Sequence, residues 1–216
     1  MRERVLLMLT AFSLVIYLAV DFIFQIHPRY RPQNLLTGKK IIHDDRMNAR
    51  GIVIHHSATP IRTNSGTLID ADFINGMHRV RGFRRFKFGR TYNIGYHYVI
   101  LYDGRVQMGR PESYPGAHVM GRPNYYNLGI CLVGFFSRQF THDGHYRINR
   151  PTPEQLSELH RLIYRLQVQY AISVGQVRRH CDFQPRQNCP GDKFPWQSFI
   201  DTHKENLTHY VMPNPS

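Results

Sequence analysis

Leu128-Gly129-Ile130-Cys131-Leu132-Val133 is the stretch on which the fold turns. It is almost wholly apolar and does not alternate, the mark of a central strand buried on both faces. A strand of that kind needs cover on either side of its sheet. Working outward, the required parts are present. Ile52-Val53-Ile54 is a short β-branched run entering His55-His56-Ser57 and predicts a second buried strand. Tyr96 to Leu101 is β-rich and reaches Asp103-Gly104, a two-residue hairpin signal, with Val106-Gln107-Met108 returning. Ile69 to Val80 carries Phe73, Ile74, Met77 and Val80 near helical spacing. Thr152-Pro153-Glu154-Gln155 sets an N-cap, a Pro at the first helical position and a capping-box Gln in order. Leu156, Leu159, Ile163, Leu166 and Tyr170 then form the apolar stripe of that helix. Val174 to Val177 is expected as a further strand and Trp196 to Lys204 as a closing helix. The economical architecture is α/β, a central mixed β-sheet flanked by α-helices.

The 216 residues suit one such domain with a segment attached, and are enough to bury a sizeable core. With 42% hydrophobic and 20% charged residues the chain is neither a disordered tail nor a low-complexity polymer. Three cysteines exclude a dense disulfide scaffold, and no fixed-period repeat suggests a solenoid. The formal charge of +13 raises the question of an anionic partner. Arg79 to Arg90 interleaves cations with aromatics, as a nucleic-acid contact strip would. It is read here as a solvated loop beside a substrate groove, and no nucleic-acid partner is expected.

The attached segment reads as a membrane element. Val5 to Val20 is a run of 16 uncharged residues, and after Asp21 the apolar character resumes through Ile26. A helix over 5–26 would span roughly 33 Å, which matches a bilayer core. Arg2 and Arg4 precede it, as in a signal sequence or signal anchor. Leu14 to Ile26 offers only Ala19 as a small residue for a cleavage site, which favours a retained single-pass anchor over 1–26. Residues 27–50 mix Pro, charge and polar groups and are expected to be a linker, able to reach about 80 Å when extended. The expected domain covers 51–205, with a C-terminal tail at 206–216. The cations that follow the span count against export, but a long folded domain can cross despite them.

The chemistry is expected at strand ends. Thirteen histidines are many for this length. Four stand where imidazoles would converge: His55 or His56, His97 or its neighbours, His118, and His180. Cys189 follows His180 at a spacing of nine. Zinc takes imidazole and thiolate ligands, three of them in a catalytic site with the fourth position open to water. A His–His–Cys set drawn from distant segments is compatible with that, although spacing alone does not establish it.

Five ordered motifs carry a resemblance. They are Ile54-His55-His56-Ser57-Ala58-Thr59, Gly95-Tyr96-His97-Tyr98, Gly116-Ala117-His118, Asn127 to Gly134, and His180 followed by Cys189-Pro190-Gly191. The chain resembles, over roughly residues 50 to 200, the zinc N-acetylmuramoyl-L-alanine amidases, that is, the phage lysozyme-type amidases and the related peptidoglycan recognition proteins. The resemblance implies a mixed sheet with helices around it, Zn2+ as cofactor, and His55, His180 and Cys189 as metal ligands. His55 is preferred to His56 because it directly follows the apolar strand, and adjacent residues on a strand face opposite ways. The resemblance also makes Tyr96 the active-site tyrosine and His118 a groove-lining residue. Asn127 is assigned to positioning the strand or the substrate, and His78 to a structural or groove-lining place. The phage-type lysine two positions before the cysteine is replaced here by Gln187, and one extra residue between His180 and Cys189 puts Arg186 in reach of the same role. Cys131 stands where the intracellular muropeptide amidases carry a catalytic glutamate, which points to the tyrosine-using branch.

The implied function is hydrolysis of the amide between N-acetylmuramic acid and L-alanine in peptidoglycan. The expected setting is a monomeric protein anchored in the inner membrane, its domain facing the periplasm or cell wall. The rival readings are a non-catalytic peptidoglycan-binding module of the same fold, a cytoplasm-facing muropeptide-recycling enzyme, and a phage or secreted lysin. A cysteine-hydrolase use of Cys189 beside His180 ranks below these.

Overall fold

The computed structural model of the protein describes residues 48–87, 90–138 and 149–211. The expected anchor over 1–26, and all but the last three residues of the expected linker, lie outside the described residues. Among the described residues no helix is long and apolar enough to cross a membrane. In chain order the elements are β1 (Gly51–His56), α1 (Ala71–Val80), β2 (Arg85–Lys87), β3 (Arg90–Tyr92), β4 (Tyr98–Ile100), β5 (Val106–Met108), β6 (Asn127–Leu132), α2 (Pro153–Tyr170), β7 (Val177–Arg179) and α3 (Trp196–Val211).

Five strands form one sheet in the order β5-β4-β6-β1-β7. β4, β6, β1 and β7 run parallel, and β5 returns antiparallel at the edge. The mixed sheet expected from the sequence is therefore present, with β6 at its centre and every residue of that strand buried. Strand alternation divides the interior in two. Ile52 and Ile54 of β1, Tyr98 and Ile100 of β4, and Leu128, Ile130 and Leu132 of β6 pack against Leu159, Leu162, Ile163 and Leu166 of α2 and Phe199 of α3. The opposite face turns Val99, Leu101 and Val133 toward Ile69, Ala71 and Ile74 at α1. Fully burying a Leu or Ile side chain contributes on the order of 2 kcal/mol, so the α2 stripe is a main tie of the first layer.

The start of α2 is fixed locally. Thr152 Oγ1 accepts from the Gln155 N–H at 3.0 Å, and the Thr152 N–H donates to Gln155 Oε1 at 3.2 Å, closing the expected capping box. Gln155 is fully buried, and its Nε2 donates to the Ile100 and Val133 carbonyls at 3.2 and 3.0 Å. The cap thus also joins α2 to the ends of β4 and β6.

Several expected elements shift. The hairpin after β4 closes with three residues rather than two, since the Leu101 N–H donates to the Arg105 carbonyl. Gly104 takes φ +85° there, and a Cβ would stand 2.9 Å from that of Glu154, so glycine suits both the turn and the packing. On α1 the buried residues are Ala71, Ile74 and His78, whereas Phe73 and Val80 of the expected stripe are exposed. Val174 to Gln176 forms a 3-10 turn, and the strand starts at Val177, where the expected one ended. β7 is an edge strand buried only at Val177, so its Arg178-Arg179 pair hides it from a hydrophobicity reading. Part of the basic stretch read as a loop is an antiparallel ribbon of β2 and β3. The closing helix runs on to Val211, beyond the Lys204 expected from the sequence.

Candidate metal centre

The parallel strands deliver three donors to their C-terminal ends, the usual place for a site in such a sheet. Register sets His55 opposite Cys131, which is opposite Val99, so these three side chains share one face. His56 therefore points the other way. Its Nδ1 accepts the Phe136 N–H at 2.9 Å, and its ring lies between those of Phe135 and Phe136. β7 pairs with β1 through Ile54 opposite Arg179, which brings His180, the next residue, alongside His55. Their ring centroids are 4.6 Å apart. Cys189 arrives from the following loop, tied down by its carbonyl to the Cys181 N–H at 2.9 Å. Its sulfur lies 3.7 Å from His55 Nδ1 and accepts the His56 N–H at 3.4 Å. One donor atom from each of His55, His180 and Cys189 lies within 4.8 Å of the others. All three cysteines are free thiols.

The hydrogen bonds behind the imidazoles decide which nitrogens face inward. The Asn127 carbonyl only accepts, so His118 Nε2, 3.1 Å away, must donate to it. In its neutral form His118 then accepts at Nδ1, and His55 Nε2, 3.0 Å away, donates. That leaves the lone pair of His55 on Nδ1, toward Cys189. On the other side, the Met120 N–H donates to Gln184 Oε1 at 3.1 Å, and the same oxygen lies 2.6 Å from His180 Nε2. His180 Nε2 therefore donates and its Nδ1 carries the lone pair. Burial keeps the rings neutral. His55 is held well below the usual histidine range by desolvation, then by the neighbouring His118 and His180. His118 is lowered by burial and by His97, and His180 by burial, partly offset by its bond to Gln184. Burial pushes the Cys189 thiol up to about 12 despite the His56 N–H. Two imidazole lone pairs and a thiol suit a zinc-type ion, whose tetrahedral set would take one further ligand.

Tyr96 stands over this set, its ring 5.0 Å from His55 and 5.2 Å from His78. Burial and the sulfurs of Cys131 and Cys189 raise its phenol well above the ordinary value. His78 supports it from α1: its Nδ1 accepts the Gly95 N–H at 2.9 Å. Burial, with Arg81 and Arg110, lowers His78 to about 4. His97 is structural, accepting the Gly129 N–H and donating to the Tyr114 carbonyl.

The structure also places the remaining expected site residues. His118, expected to line a groove, is buried beside His55 with both nitrogens engaged, and so it holds that imidazole. Asn127 is buried, its amide donating to the Pro123 carbonyl and its carbonyl holding His118. It braces β6 and the His118 ring, in keeping with the strand-positioning place expected for it. Arg186 and Gln187 are exposed on the turn before Cys189, and neither side chain makes a hydrogen bond or ion pair among the described residues. Gln184 was missed. Its signal was the i, i+4 spacing from His180, which in a helical turn sets side chains together.

Residues 45–192 match the family model of N-acetylmuramoyl-L-alanine amidase. The chain belongs to that family. The resemblance read from the five motifs is thereby established, and the protein is an amidase. The endolysin of Enterobacteria phage T3 is 31% identical over 151 residues, 70% of this chain and 86% of the relative. The endolysin of Escherichia phage T7 is 30% identical over 145 residues, 67% and 82% of the two chains. Among solved structures, the N-acetylmuramoyl-L-alanine amidase LysC from Clostridium intestinale URNW superposes with a TM-score of 0.56 at 27% identity. It covers 76% of this chain and 88% of its own. Bumblebee PGRP-SA shares the amidase fold, with a TM-score of 0.50 at 22% identity over 76% of this chain and 84% of its own.

Proposed function

We propose that this amidase hydrolyses the bond between N-acetylmuramic acid and L-alanine in peptidoglycan, with Zn2+ held by His55 Nδ1, His180 Nδ1 and Cys189 Sγ. The observation that carries the reading is the convergence of two fixed imidazole lone pairs on one buried thiol. Zinc bound there would supply a Lewis acid for the amide carbonyl and a water of lowered pKa. The chain's own groups do the rest. His118 and Gln184 hold the imidazoles neutral and aimed. Tyr96 keeps its proton at neutral pH and offers a neutral O–H to the carbonyl oxygen as negative charge develops. A thiol raised to about 12 is a poor nucleophile, which speaks against a cysteine-hydrolase route through Cys189.

Residues 1–26 are proposed to anchor the protein in the inner membrane, with 27–50 as linker, so that a monomeric domain works on the periplasmic or cell-wall side. The uncharged run Val5 to Val20 and the location of peptidoglycan support this arrangement. The test uses the full-length protein in mild detergent. Bound zinc is measured by elemental analysis and the products of a peptidoglycan digest are identified by mass spectrometry. Stoichiometric zinc and stem peptides beginning at L-alanine are expected. Cleavage at another bond, or full activity in metal-free protein, would overturn the reading. A phosphatase reporter fused after Ser216 should be active only if the domain is exported.

A further inference from the structure

The two imidazoles come from the ends of different strands but are braced from behind by one loop. The loop from Ala117 to Gly121 reaches His55 through the His118 ring, and it reaches His180 through the Met120 N–H and Gln184. The loop itself is held in shape by Asn124, whose Oδ1 accepts the N–H groups of His118 and Val119 at 2.9 and 3.1 Å. Gln184 belongs to the turn that follows His180, where its own N–H donates to the His180 carbonyl at 3.1 Å. It is therefore short and local on one side and a cross-link on the other. A backbone N–H can only donate, so the atom of Gln184 that faces Met120 is an acceptor oxygen. The same oxygen leaves His180 Nε2 no role but donor.

We propose that Gln184 is a positioning residue for the metal centre, fixing the tautomer of His180 and locking that ring to the loop that also holds His55. The inference rests on the zinc reading above, but its tautomer component does not. Acceptors behind a metal-bound imidazole orient the ring and raise its basicity, and their loss typically costs 10- to 100-fold in metal affinity. Gln184 supplies such an acceptor with an uncharged amide. Through Met120 it makes the spacing of the two imidazoles depend on a single loop.

The experiment compares the full-length protein with Gln184→Leu and Gln184→Glu. Leucine keeps similar bulk without an acceptor, and glutamate keeps an oxygen that can take both N–H groups. Zinc affinity is measured by competition with a chelating dye, and thermal unfolding of the metal-free proteins reports folding. Gln184→Leu should bind zinc about 10- to 100-fold more weakly, whereas Gln184→Glu should stay nearer the parent. Equal losses in both variants, or none in Gln184→Leu, would overturn the proposal. The nitrogen shifts of His180 are also recorded at neutral pH in the metal-free parent with labelled histidine. A proton on Nε2 is expected, and a proton mainly on Nδ1 would refute the assignment without any variant. If the parent binds no zinc, the zinc reading fails, and the tautomer measurement still decides the role of Gln184.

Discussion

Gly129 on β6 lies beneath the His118 ring, and its replacement tests whether that ring holds the metal centre in place. In Gly129→Ala the new Cβ would stand 2.6 Å from His118 Cγ and Cδ2 and 2.9 Å from Nδ1. Carbon atoms prefer about 3.5–4.0 Å, so the ring must retreat by roughly 1 Å. It is not free to do so. Its two nitrogens are held at 3.0 Å by His55 and 3.1 Å by the Asn127 carbonyl, and a retreat of that size off the ring plane stretches both bonds and bends them away from the ring plane. Overpacking costs about 1–3 kcal/mol, and the two strained hydrogen bonds add to it. An overpacking loss of about 1–3 kcal/mol should lower the melting temperature of a domain of this size by roughly 2–12 °C. With the support behind the His55 ring displaced, zinc affinity should fall about tenfold. Circular dichroism melts of metal-free protein and chelator competition measure the two effects. Gly76→Ala serves as the control, because nothing lies within 4 Å of the added carbon on exposed α1 surface. Parental melting temperature together with parental zinc affinity in Gly129→Ala would show that His118 is not the support described here.

Cys189→Ala should abolish zinc retention and hydrolysis together, and full activity in that variant would remove Cys189 from the ligand set. Since the Cys189 thiol sits at about 12, zinc uptake at neutral pH should release about one proton per site; titration calorimetry in buffers of differing ionisation enthalpy would expose a release of none. Tyr96→Phe should keep the metal and lose about 100- to 1000-fold in kcat, so a loss of zinc instead would mark Tyr96 as structural. Stability should fall on acidification. His56 is lowered from 6.5 to about 4 by burial, so the unfolded chain binds its proton first, and stability present above pH 6.5 is lost as pH falls toward 4. That one group contributes about 3 kcal/mol. His160 is also lowered to about 4 and bonds His203 nitrogen to nitrogen at 3.1 Å between α2 and α3, which acts in the same direction. Urea titrations from pH 7 to 4 should show the decline, and a flat profile would contradict the burial argument.

The strands and the cap were legible because they rest on local chemistry. An unbroken apolar run such as Leu128 to Val133 has nowhere to go but the middle of a sheet, and Thr152-Pro153-Glu154-Gln155 satisfies its own helix end within four residues. Elements whose character is set by neighbours were not legible. β7 is polar at two of three positions because one side of it faces water, and α1 buries His78 where Val80 would be expected because Gly95 and Tyr96 meet it there.

For the site, the sequence by itself determined the residue types and the strand phase: one of two adjacent histidines faces the sheet's open side, and the resemblance carried by the ordered motifs implies His55, His180 and Cys189. Only the tertiary structure decided which nitrogens point inward. That depends on a carbonyl at Asn127 and an amide at Met120, which lie 72 and 60 residues from the rings they orient (127 − 55 and 180 − 120). It also showed His118 and Asn127 as buried braces behind His55 and placed Arg186 and Gln187 on the surface. A hydrogen-bond direction is a property of two groups brought together by folding, and no pattern along one strand or one loop contains it.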